Sequence, residues 1–133
     1  MRISIIVPVF NNLKYTKECL KNLKHHTDIN KNILNTLYNI IVFDDGSSDG
    51  TSDWIKSNYP DVKILNGNGN FWWSKSVFQA TKYALDELNT DYILLWNNDI
   101  KINSNYFSVL SNAINDYPIN TIIGSSLINK FDK

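Results

Sequence analysis

Residues 38–51 read Tyr38-Asn39-Ile40-Ile41-Val42-Phe43-Asp44-Asp45-Gly46-Ser47-Ser48-Asp49-Gly50-Thr51. The first half is nearly continuous in apolar residues, as suits a parallel strand covered on both faces. The second half is an abrupt acidic turn rich in Gly and Ser. The same form recurs on either side. Ile3 to Val9 is a strand signal that ends at Pro8 and the polar pair Asn11-Asn12, and Tyr92-Ile93-Leu94-Leu95-Trp96 runs into Asn97-Asn98-Asp99. Two shorter runs, Val62 to Leu65 and Thr121 to Ser125, supply a third and a fifth strand. Helical spacing fills the gaps. Leu13, Lys14, Tyr15, Cys19, Leu20 and Leu23 predict a helix from Leu13 to about His25, with Asn11 or Asn12 as its N-cap. His25 to Asn35 reads as a surface loop or an extension of that helix. A short helix is expected from Thr51 to Asn58, closed by Pro60. Val77, Ala80, Ala84, Leu85 and Leu88 predict another from Ser74 to Leu88. A last one, capped by Asn103 or Ser104, runs to about Asp116 with Tyr106, Phe107, Leu110 and Ile114 inward. Alternating strands and helices argue for an α/β fold with a mainly parallel central sheet.

The chain has 133 residues, one domain's worth, spanning 1–133. Apolar residues make up 43%, enough for a core. Lys plus Arg and Asp plus Glu are 13 each, so no basic field exists to engage a phosphate backbone, and nucleic acid is not expected as a partner. The single cysteine, Cys19, cannot form an internal disulfide and reads as a small buried residue on a helix. No run approaches the eighteen apolar residues of a membrane span, and the first apolar stretch, closed by Pro8, is too short for a signal-peptide core. The expectation is a soluble cytoplasmic protein, at most peripheral at the inner face of a membrane.

Parallel sheets bind ligands at the carboxyl ends of their strands. Pro8 to Asn11, Asp44-Asp45 and Asn98-Asp99 all fall at such ends and can converge on one edge. Taken singly, each is ordinary turn and N-cap chemistry; the combination in this order is harder to explain that way. A carboxylate there can accept a hydrogen bond from a nucleobase N–H, and another can hold a hard cation beside a diphosphate. Two other motifs fail. Asp45, Ser47, Asp49 and Gly50 imitate the start of a calcium-binding EF-hand loop, but its twelfth position is Lys56 and the preceding element is a strand. Gly67-Asn68-Gly69 imitates a dinucleotide fingerprint, but the sixth position is Trp72 and the loop comes after the third strand.

With those residues in view, the chain resembles the family 2 glycosyltransferases of the GT-A (Rossmann-like) fold. Ile5-Ile6-Val7-Pro8-Val9-Phe10-Asn11 is similar to their opening strand, Val42 to Thr51 to their second hallmark, and Leu94-Leu95-Trp96-Asn97-Asn98-Asp99 to their metal motif in an Asn-Asn-Asp variant. Gly67-Asn68-Gly69-Asn70-Phe71-Trp72-Trp73 is similar to a loop of the rhamnosyltransferase-like branch. Directly after that loop, Ser74, Lys75, Ser76, Phe78 and Ala80 depart from the branch's pattern of small residues, Asn and Gly. The resemblance implies roles. Pro8 would pack near the base, with Val9 and Asn11 beside it. Asp45 would take the N3–H of uracil or thymine, and Asp44 would orient the loop. Gly69, Asn70, Trp72 and Trp73 would line the donor pocket. Asn97 and Asn98 would contact ribose or diphosphate, and Asp99 would hold Mg²⁺ or Mn²⁺. Lys75 reads as a solvated helix-start residue.

The implied reaction is inverting transfer of a sugar from a UDP- or dTDP-linked donor to a carbohydrate or lipid-linked saccharide acceptor, in bacterial surface-polysaccharide synthesis. The family resemblance places the general base well beyond the metal motif. Asp116 and Asp132 are not in its expected context, so no catalytic base is assigned and it is expected beyond Lys133. The chain is therefore expected to be a fragment truncated before the acceptor-binding half, a split gene product or a degenerate relative. The alternative function is a non-catalytic nucleotide-sugar-binding or assembly domain, self-associating through surface left by the missing half. A phosphoacceptor receiver domain has similar length and alternation, but needs its acid pair after the first strand, where Pro8-Val9-Phe10-Asn11 stands.

Overall fold

The computed structural model describes residues 1–33 and 35–126. Its elements run β1 (Arg2–Val9), α1 (Leu13–Ile33), β2 (Leu37–Asp44), α2 (Thr51–Asn58), β3 (Lys63–Asn66), α3 (Trp72–Leu88), β4 (Tyr92–Leu95) and α4 (Tyr106–Asp116). The four strands form one sheet in the order β3-β2-β1-β4, and every pairing is parallel. β1 and β2 are central and are covered on both sides, which is why both read as near-continuous apolar runs.

Residue parity divides the core between the two faces. Ile3, Ile5, Val7 and Val9 of β1, with Ile40 and Val42 of β2, pack against Cys19, Leu20 and Leu23 of α1, Ile55 of α2, and Phe107 and Ile114 of α4. Ile6, Ile41 and Phe43 face the other way and meet Ala80 and Ala84 of α3. Thus β1 and β2 hand the chain to helices on one face, whereas β3 hands it to α3 on the opposite face. The strand order reverses between β1 and β4, the kind of place where open α/β sheets form a crevice at the carboxyl edge.

Of the two readings for the stretch after His25, the helix extension holds: α1 continues to Ile33, with Thr27 and Asn30 extending the buried stripe. Other expectations need correction. Tyr15 lies on the outer side of α1, 51% exposed. α3 starts at Trp72 rather than Ser74, and Leu85 faces solvent. The N-cap of α4 is Asn105. The expected fifth strand does not form among the described residues: Thr121–Ser125 joins no ladder there, and Ile122 is 98% exposed. Strand propensity needs a partner to act on. Here the segment is held toward α4 by the Tyr106 and Ser125 hydroxyls, 3.0 Å apart. Asp132 lies outside the described residues. No described helix is long and apolar enough to cross a membrane.

Candidate functional site

A cleft of about 250 Å³ opens at the carboxyl edge, lined by Pro8, Val9, Phe10, Asp45, Gly69, Trp72, Trp73 and Ser76. It draws on three parts of the chain: the end of β1, the turn after β2, and the loop that becomes α3. Asp45, 5% exposed, lies along one side. Phe10, Trp72 and Trp73 stand 56%, 79% and 50% exposed. Large aromatics at a loop–helix junction are usually packing residues; exposure this high points instead to a surface shaped for a ligand.

The acid pair after β2 divides its labour. Asp44 Oδ1 accepts the Ser47 N–H at 2.8 Å, and its Oδ2 accepts the Ser52 hydroxyl at 2.5 Å, so this buried side chain organises its own turn. Asp45 reaches across to the β3–α3 loop. Its Oδ1 accepts the Gly69 N–H at 2.9 Å, and its Oδ2 accepts those of Phe71 and Trp72 at 2.8 and 2.9 Å. The first turn of α3 has no acidic residue, and its N-cap Phe71 offers no side-chain cap, so Asp45 supplies the cap from elsewhere in the chain. The approach is close enough to require two glycines. A Cβ on Gly46 would lie 2.9 Å from Gly69 N, and one on Gly67 would run into Asp45 Oδ1 and the Phe43 ring.

The β1–α1 loop is tied to the same turn. Asn11 donates its N–H to Ser47 Oγ at 2.7 Å and accepts the Ser48 N–H through Oδ1 at 2.9 Å. Asn12 holds the N-cap position of α1, its carbonyl accepting the Thr16 N–H at 3.3 Å, and the Asp49 carboxylate takes the Leu13 N–H at 2.8 Å. Asp49 also accepts the Thr51 hydroxyl at 2.6 Å. That bond, with the Leu13 and Thr51 N–H groups, holds its carboxyl below the usual range against the opposing effect of desolvation.

The loop after β4 straddles the edge. Asn97 Oδ1 accepts the Trp73 indole N–H at 3.2 Å, on the cleft side. Asn98 donates its amide to Thr16 Oγ1 of α1 at 3.2 Å, on the other side. Asp99 is exposed. Its charge is felt by the Cys19 thiol, which burial pushes up to about 12, with Trp96 opposing the rise and Asp99 adding to it. Asp99 therefore shares the carboxyl edge with Asp45 but does not line the same cleft. Asn70 does not line it either; its N–H folds back onto Asn68 Oδ1 at 3.1 Å. The Lys75 ammonium sits over the Phe71 ring, 3.7 Å from its centre.

No group of three or more His, Cys, Asp or Glu side chains among the described residues could cage a metal ion. One exposed carboxylate with neighbouring amides does fit a hard cation that keeps its waters and arrives with phosphates, as Mg²⁺ commonly does.

Sequence reasoning missed Phe10 and Ser76 as cleft residues and Asp49 as a cap. Ser76 was legible as the first member of the small-residue stripe Ser76, Ala80, Ala84 on the buried face of α3. Asp49 was hidden because its partner, Leu13, is 36 residues away.

Known proteins resemble this chain in sequence and fold. The family model described as "Glycosyl transferase family 2" matches residues 4–132. The low-salt glycan biosynthesis hexosyltransferase Agl10 of Haloferax volcanii is 31% identical over 85 residues, 62% of this chain and 27% of that protein. A transferase of Methanococcus voltae, named dolichyl N-acetyl-alpha-D-glucosaminyl phosphate 3-beta-D-2,3-diacetamido-2,3-dideoxy-beta-D-glucuronosyltransferase, is 39% identical over 99 residues, 71% of this chain and 28% of its own. The crystal structure of S. aureus TarS 1-349 in complex with UDP superposes with a TM-score of 0.69 at 25% identity, covering 87% of this chain and 32% of that one. The chain thus spans little more than a quarter of the length of the curated relatives it matches. With an all-parallel α/β sheet of the GT-A kind and a family match over nearly its whole length, the chain belongs to glycosyl transferase family 2.

Proposed function

We propose that this chain binds the donor for a glycosyltransferase: a pyrimidine nucleoside diphosphate sugar, UDP- or dTDP-linked. The carrying observation is the cleft itself, with the Asp45 carboxylate along its wall and exposed Phe10, Trp72 and Trp73 around it. Its roughly 250 Å³ is below the roughly 300–1,000 Å³ of common ligand sites and suits a base with part of its ribose, leaving the diphosphate to run toward the β4 loop. A carboxylate offers about four lone-pair positions, and the loop takes three of those on Asp45, so one remains for the N3–H of uracil or thymine. The UDP complex of TarS supports the choice of nucleotide.

In the reaction so supported, an acceptor hydroxyl attacks the anomeric carbon in line, the new C–O bond forms as the bond to the diphosphate breaks, and configuration inverts. The hydroxyl proton goes to a general base. Asp45, the one acid lining the cleft, is already committed to the loop, so the base is expected outside the described residues. Asp99, with Asn97 and Asn98 beside it, would hold Mg²⁺ or Mn²⁺, which when bound neutralises charge on the departing diphosphate. The acceptor is proposed to be a carbohydrate or lipid-linked saccharide, and the setting glycan synthesis at the cytoplasmic face of a membrane; the names of the two transferases above support the glycan assignment.

Calorimetry with UDP- and dTDP-sugars and Mn²⁺ tests this reading. Saturable binding that weakens at least about tenfold in Asp45→Asn and loses its metal dependence in Asp99→Asn is the expected result. Binding indifferent to both substitutions would count against it. A second reading, assembly without catalysis, draws on exposed apolar residues beyond β4 and at its end: Leu95 (46%), Val109 (56%), Ile119 (79%) and Ile122 (98%). Light scattering with and without nucleotide separates the two, since assembly alone gives an oligomer that nucleotide does not affect.

A further inference from the structure

Trp72 has φ of +55°, the left-handed region that a bulky residue rarely enters. Such a conformation is strained and persists only where its surroundings enforce it. Here the enforcing group is visible. The Phe71 and Trp72 N–H groups both point at Asp45 Oδ2, and Gly69, itself at φ +85°, points at Oδ1. The turn they define lays the Phe71 ring on Phe43, 5.7 Å between centres, and leaves the Trp72 and Trp73 indoles against the cleft. From there the Trp73 indole N–H reaches Asn97 on the loop that carries Asp99.

We propose that Asp45 is a positioning residue: its clasp on the Gly69–Trp72 turn sets the two indoles as a preformed wall of the cleft and, through the Trp73–Asn97 bond, fixes the β4 loop relative to that wall. The clasp stands on the structure alone, whereas its service to a nucleotide rests on the proposed donor site. Asparagine cannot take over. Its amide has one acceptor oxygen and one NH₂, so either Gly69 or the Phe71–Trp72 pair would face a donor.

The test is hydrogen exchange and indole N–H spectra of ¹⁵N-labelled protein without nucleotide, and then titration with UDP. In the native protein the amides of Gly69, Phe71 and Trp72 are expected to be protected, and the Trp73 indole to exchange more slowly than the Trp72 indole. In Asp45→Asn those amides are expected to exchange about tenfold faster, with the Trp73 signal shifted and the Trp54 and Trp96 signals unmoved. Asn97→Asp, which keeps an oxygen acceptor, is expected to retain the Trp73 signal that Asn97→Ala loses. This pair and the native amides decide the matter even if Asp45→Asn does not fold. Unprotected native amides, or an unchanged Trp73 signal in a folded Asp45→Asn, would overturn the clasp. UDP affinity that is unaltered when the loop has loosened would overturn the positioning role. UDP that binds neither protein sinks the nucleotide reading, while protected amides in the same sample still support the clasp.

Discussion

Trp72 combines a strained backbone with a side chain 79% exposed, so its ring contributes little burial energy to set against the strain. Trp72→Gly should therefore leave the melting temperature unchanged or raise it, because glycine enters the left-handed region freely. The same substitution should weaken UDP binding about tenfold, the scale of one lost base–aromatic stack. Parallel losses of stability and binding would show that the ring is a packing residue. Cys19 is the opposite case, a buried residue with no task at the cleft. Burial raises its thiol from 9.0 to about 12, so the folded protein should resist iodoacetamide at pH 8 and react once denatured. As pH climbs from 9 toward 12 the unfolded thiol sheds its proton while the folded one keeps it. Stability therefore falls over that window, by at most about 1.4 kcal/mol per pH unit from this group.

Between elements, the decisive joints are those that tie the loops after β1, β2 and β3 to one another. Asp49 caps α1 from the β2–α2 turn, and Asp49→Ala should cost about 1 kcal/mol in urea melts at pH 7. Its carboxyl titrates below the usual range in the folded state, so this stabilisation is present above pH 3.8 and is lost as pH falls through the lower folded value. The variant should consequently lose less stability than the native protein between pH 7 and pH 2. Gly67→Ala should destabilise by roughly 1–3 kcal/mol, because the added Cβ meets both Asp45 Oδ1 and the Phe43 ring. Elements such as β1, β2 and the buried stripes of α3 and α4 were legible because their periodicity is local. Composition misleads at Thr121–Ser125, which has strand-forming residues but no neighbour to pair with among the described residues. The length of α1 is not legible locally because polar residues dominate its second half, and only the packing of Thr27 and Asn30 reveals it as helix.

For the whole molecule, the sequence order of the polar strand ends was enough to place Pro8, Val9 and Asp45 on one edge, because a parallel α/β sheet brings successive carboxyl ends together. Side-chain commitments across that edge were not legible. Nothing local reveals that Asp45 caps α3, that Asn98 turns toward Thr16, or that the charge of Asp99 acts on Cys19 from outside the cleft. The cleft between Pro8–Phe10 and Gly69–Trp73 is proposed to receive a nucleoside diphosphate. Amide shift mapping of ¹⁵N-labelled protein during UDP titration reads this residue by residue. Saturable shifts are expected at Val9, Phe10, Asp45, Gly69, Trp72 and Trp73, extending to Asn97–Asp99 when Mg²⁺ is added. Shifts confined to the outer face of α1, or none at millimolar UDP, would contradict it.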